Sequence, residues 1–157
     1  MTNTIDDSFS STPTHQDETR LLSHIAVRNL SRGGVAERVT LLRVEEILYF
    51  FTAGALSQRP VIDAKWRDLR PFSPGRVYVR TTTDLFVSQY RTIAKILARL
   101  PNQFIGIHKS LVVNFHQIKD LDFDGKLKRV GVVTAISSEW LTVSRRALKR
   151  FRSMLGM

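Results

Sequence analysis

The sequence predicts a mostly β fold, built of small antiparallel sheets with two short helices. Three observations predict it. Short runs rich in β-branched and aromatic residues recur along the chain, turn residues separate them at hairpin spacing, and only two stretches carry helical periodicity. The alternation of strand and helix that a parallel sheet would need does not occur.

Residues 1–20, "MTNTIDDSFSSTPTHQDETR", are Ser-, Thr- and Asp-rich without apolar period, and are expected to form a disordered acidic tail. Residues 21–157 are expected to form one domain. "HIAVRNLSRGGVAERVTLLRV" is two β-rich runs around Gly33-Gly34, a hairpin signature. "ILYFFTAG" is apolar nearly throughout, as a strand buried on both faces is. Residues 55–75 carry three prolines and both charge signs, and read as an inserted loop with one helical turn around "DAKWRDL". Trp66 is read as packing this insert onto the body, with ligand stacking as its alternative.

"RVYVRTTTDLFVSQY" is a hairpin turning near Thr83-Asp84. In "TIAKILARLP", Ile93, Ile96, Leu97 and Leu100 share one helical face, Thr92 caps the start and Pro101 closes it. "KDLDFDGKLK" alternates Asp120, Asp122 and Asp124 with Leu121 and Phe123, and Asp124-Gly125 suits a tight turn. "RVGVVTA" and "EWLTVS" supply two more strands. "SRRALKRFRSML" is a helix capped by Ser144, with Leu148, Phe151 and Leu155 inward.

Charge narrows the function. The chain is +10 overall with a pI of about 10.7, and residues 1–19 carry −4, so +14 falls on the remainder. Such a body suits an anionic partner, nucleic acid first. The chain has no cysteine, which excludes disulfides, thiolate nucleophiles and Cys-ligated zinc. Its four histidines have no metal-ligand spacing, and the three aspartates of residues 120–124 fit the solvent face of a strand better than a cation site. No phosphate loop, dinucleotide fingerprint or nucleophile elbow occurs. The expectation is a protein that is not an enzyme and has no metal or cofactor. No apolar run approaches membrane-spanning length and no secretory signal is visible, so a cytoplasmic, nucleoid-associated location is expected.

Two basic features stand out. In "FIGIHKSLVVN", residues 104–114, Lys109 interrupts an apolar strand pattern, flanked by His108 and Ser110. The other is Arg145, Arg146, Lys149, Arg150 and Arg152, with no acidic residue after Glu139. Arg145 and Arg146 fall in a helix first turn, where the macrodipole disfavours cations by a few tenths of a kcal/mol each, roughly. An external phosphate would offset that repulsion; the alternative is that two exposed arginines cost too little to be selected against.

These stretches resemble the LytTR-type DNA-binding domain of bacterial transcription regulators. "FIGIHKSLVVN" looks like that family's F-x-R-I-H-R/K-S-x-x-V-N signature. "EEILYFFTAG", "VYVRTTTDLF", "RTIAKILARLPNQF" and "LTVSRRALKRF" follow its other motifs in register, covering about residues 22 to 155. The resemblance implies an elongated stack of small antiparallel sheets that reads double-stranded DNA at promoter repeats through inter-strand loops and the start of the last helix. It casts Lys109, Arg145 and Arg76 as base contacts, in keeping with the way Arg and Lys donate to guanine edges. Arg146, Lys149, Arg150, Arg152 and Arg80 are cast as phosphate contacts that set position. His108 and Ser110 are expected to brace the bend that presents Lys109, and Asn114 to close the segment by a side-chain-to-backbone turn.

The sequence also departs from that family. Gly106 stands where the family usually has arginine, and residues 55–75 are extra. The family's usual N-terminal receiver domain finds no counterpart in some twenty preceding residues, which implies a stand-alone regulator. Pairing of two copies on adjacent half-sites is a further expectation. Two other readings remain: a general nucleic-acid binder, including RNA, and a module that docks another regulatory protein through residues 55–75.

Overall fold

A computed structural model describes residues 20–57, 59–68 and 72–157. The expected tail thus lies, apart from Arg20, outside the described residues. Eleven strands among them form two antiparallel sheets. In chain order they are β1 (His24–Ser31), β2 (Gly34–Arg43), β3 (Ile47–Phe51), β4 (Ile62–Asp63), β5 (Tyr78–Thr81), β6 (Leu85–Ser88), β7 (Phe104–His108), β8 (Leu111–Asn114), β9 (Ile118–Asp122), β10 (Arg129–Val133) and β11 (Ser138–Thr142). The larger sheet runs β2-β1-β6-β5-β3-β8-β7, the smaller β4-β11-β10-β9. Two α-helices complete the fold, α1 (Ile93–Leu97) and α2 (Arg145–Met154). Mostly β with two helices is what the sequence predicts.

β3 explains the layering. Its five residues are all buried because β5 and β8 flank it and side chains cover both faces. Tyr49 and Phe51 join the core between the sheets, where Val130, Val132 and Leu141 come from the smaller sheet and Phe151 from α2. Ile47 and Phe50 face the other way, toward Ile96 and Leu100 around α1. The alternation holds in β8, where Leu111 and Val113 enter the first core and Val112 the second. α1 starts as its sequence dictates, with Thr92 Oγ1 accepting from Lys95 N–H at 3.2 Å.

The described residues of the insert form more than a loop. A 3₁₀ turn at Ala53–Leu56 leads into the insert, another lies at Lys65–Asp68, and β4 extends the smaller sheet by pairing Ile62 with Leu141. Trp66 stacks on Phe51 with ring centroids 4.9 Å apart, and Phe72 packs edge-on against Tyr78 at 4.9 Å. Burying this aromatic group outweighs the breaking tendency of the prolines. The expected tight turn at Asp124-Gly125 is instead a six-residue connection, Phe123 to Lys128. Phe123 leaves the strand to set its ring edge-on against Phe151, 6.5 Å between centroids.

Candidate nucleic-acid interface

Strand register gathers one end of the larger sheet. Phe51, last in β3, is opposite both Tyr78 and Leu111, the first residues of β5 and β8. Arg76 and Lys109 each precede those residues by two, so both lie at that end, and both are exposed. The start of α2 is tied there too, because Ser144 N–H donates to Ile107 O at 2.8 Å. Ser144 Oγ accepts from Ala147 N–H at 3.2 Å and caps the helix. A shallow depression between the β7–β8 bend and α2 is lined by Gly106, His108, Lys109, Ser144, Arg146, Ala147 and Arg150, with no acid among them.

Helix geometry does the rest. At 3.6 residues per turn, Arg146, Lys149 and Arg150 fall on the side away from Leu148, Phe151 and Leu155, whose side chains pack into or against the core, while Arg145 and Arg152 flank that apolar stripe. All five basic residues are exposed. Arg152 lies over the Phe123 ring, 5.8 Å from its centroid, so its stem also packs on the body.

The bend presenting Lys109 is held from three sides. His108 Nδ1 accepts from Ser110 N–H at 3.3 Å, fixing the proton on the other ring nitrogen. Partial burial and the Lys109 charge lower the His108 pKa from its ordinary 6.5. Thr52 N–H donates to the buried Ser110's carbonyl at 3.1 Å. Gly54 permits this approach, since a Cβ there would sit 2.6 Å from Ser110 Oγ. Asn114 is fully buried; its Nδ2 donates to Ile47 O at 2.9 Å and its Oδ1 accepts from His116 N–H at 3.1 Å. At Gly106 a Cβ would meet only Leu97 Cδ2, at 4.0 Å, so a side chain fits.

Arg80 is a correction. Expected at a phosphate, it is buried between the sheets, its Nη2 2.8 Å from Glu139 Oε2 and its Nε 3.1 Å from Oε1. Tyr49 donates its hydroxyl to Glu139 Oε1 at 2.7 Å. Arg80 is on β5, a strand buried on both faces, so it has no path to solvent DNA. Glu139 went unnoticed in the sequence, yet a signal was there: it shares the inward-facing parity of Leu141 and Val143. Arg91 was also missed; it shares a hollow with Arg76 beside Gly75, whose φ of +76° makes the turn before β5.

Among the described residues no cluster of three metal-ligating side chains occurs, and no helix is long and apolar enough to cross a membrane. Two antiparallel sheets, with a basic end made by a strand-to-strand bend and a helix start, define a β domain equipped to meet anions. The chain belongs to the LytTr DNA-binding domain family, whose sequence model matches residues 72–156, more than half of its length. Among solved structures it is similar to the LytTr DNA-binding domain of a protein described as a methyl-accepting/DNA response regulator from Bacillus cereus. The TM-score is 0.56 at 18% identity, over 87% of this chain and 99% of that one. No curated protein is close enough in sequence to match. Family membership makes this a DNA-binding regulator type, not an enzymatic fold.

Proposed function

We propose that the protein binds double-stranded DNA sequence-specifically and regulates transcription, working in the cytoplasm on promoter repeats with one copy per half-site. Lys109, Arg145 and Arg76 donate to base edges in the major groove. Arg146, Lys149, Arg150 and Arg152 neutralise phosphates and fix the register. His108, Ser110 and Asn114 hold the bend that carries Lys109. The observation carrying this reading is the convergence of the Lys109 bend and the α2 start on one acid-free depression, joined by the Ser144–Ile107 hydrogen bond. Base readout needs two elements held rigidly against each other, and a backbone hydrogen bond between them provides that.

The test is selection of a preferred duplex from a random pool, followed by titration of that duplex and a scrambled one. A cognate affinity at least 100-fold above scrambled at about 150 mM salt supports the proposal. Equal affinity for both would leave a general nucleic-acid binder.

A further inference from the structure

The end of the fold opposite the basic surface holds a second feature. There the β10–β11 turn docks on the β5–β6 turn, with Ala135 N–H donating to Thr82 O at 2.9 Å. Beside this contact a cleft of about 560 Å³ enters between the two sheets. Its volume is that of a small-molecule site. Leu30, Leu85 and Trp66 form apolar walls, and Ile136, 86% exposed, stands at the mouth. The floor is the Arg80–Glu139 pair, whose carboxylate oxygens are both engaged by Arg80 and Tyr49. That floor is polar but internally neutralised. Lys65 on the rim is exposed and makes no ion pair among the described residues.

We infer that this cleft binds a small organic monoanion with a planar apolar body, such as an aromatic carboxylate. Trp66 gives it an aromatic wall, and Lys65 meets the carboxylate where water still reaches it. A cation is disfavoured, because Arg32, Lys65 and Arg80 outnumber the two carboxylates of the lining, Asp84 and Glu139, and Glu139 has no unpaired oxygen to offer. The Trp66 indole nitrogen is buried without a partner in hydrogen-bond geometry, although its N–H favours ionisation of the nearby Tyr49 hydroxyl. The ligand therefore contacts Trp66 by its ring and not by that N–H. This inference stands apart from the DNA reading, since it uses none of the residues assigned to DNA.

The chain has two tryptophans, Trp66 and Trp140, so a ¹⁵N-labelled sample gives two indole cross-peaks and Trp140→Phe assigns them. The full chain is titrated with 1-naphthoate and, separately, with the neutral 1-naphthylmethanol. Expected is a saturable shift of the Trp66 peak alone, with a dissociation constant below about 1 mM for naphthoate. Lys65→Met should weaken naphthoate about tenfold and leave the alcohol unchanged, while Ile136→Ser should weaken both. Both positions are exposed, so neither change threatens folding. No shift of the Trp66 peak at 5 mM naphthoate, on the order of five times that limit, overturns the inference. So does an equal shift of both peaks, or binding indifferent to both substitutions.

Discussion

Replacing Arg80 with Met removes the cation of a pair that bridges the two sheets. Glu139 would remain, with a side chain only 3% exposed and the Tyr49 hydroxyl as its one charge-stabilising partner. Three Arg80–Glu139 contacts between 2.8 and 3.2 Å would be lost together. Breaking a buried pair by removing one partner costs about 3–5 kcal/mol, most of it the penalty of an uncompensated charge. The near-complete burial of Glu139 places Arg80→Met at the upper end. Glu139→Gln should cost less, about 2–3 kcal/mol, since the amide oxygen still accepts from Tyr49 and Arg80 and the guanidinium side chain is 11% exposed. Removing all three polar groups, as Tyr49→Phe, Arg80→Met and Glu139→Leu together, should recover most of the loss, because no buried charge is then stranded. Urea unfolding of the three variants and the parent gives the free energies, with an unchanged m-value as the condition for comparing them. The folded Arg80→Met protein should keep the parent's salt slope for DNA, since a buried arginine neutralises no phosphate. A loss below about 1 kcal/mol for Arg80→Met, or a triple variant no better than the single one, would refute the pair as the bridge between the sheets.

Lys109→Ala and Arg145→Ala should each lose about 1–3 kcal/mol on a selected duplex and much less on a scrambled one, measured by fluorescence anisotropy. Arg150→Ala should weaken both duplexes alike and flatten the log affinity against log salt slope by roughly one unit. Gly106→Arg should fold normally, as its Cβ meets only Leu97 at 4.0 Å, and should steepen that slope by about one unit through an added phosphate contact. If the slope is unchanged, the depression does not face DNA. Burial first, and then the Glu139 carboxylate, raise the Tyr49 pKa well above its ordinary 10.0. Its contribution is therefore full below about pH 10 and fades as pH rises further, when the unfolded phenol ionises and the folded one cannot; Tyr49→Phe should show no such fading in urea midpoints. His108 runs the other way: its lowered pKa means stability present above pH 6.5 and lost as pH falls, and His108→Gln should flatten that acid limb.

The sequence alone determined the local elements, because their causes are local. The Gly33-Gly34 pair marks the β1–β2 hairpin, whose turn is Arg32-Gly33 with Gly34 opening β2 at a φ of +110°, Thr92 and Ser144 cap helices whose apolar residues recur at helical spacing, and the motif around Lys109 lies on the bend where β7 meets β8. The family was legible for the same reason, since its motifs are short and ordered along the chain. Only tertiary structure decided what faces what. Parity along β5 says nothing when all four residues are buried, so Arg80 looked like any strand arginine until β11 set Glu139 against it. Residues 55–75 looked like a loop because prolines and mixed charge dominate locally, while the Phe51 ring that Trp66 stacks on comes from another strand. Lys109 and the first α2 residue, Arg145, lie 36 positions apart, and Arg76 a further 33 before Lys109. Their sharing one end of a sheet follows from strand register, a property of paired backbones that no single stretch of chain encodes.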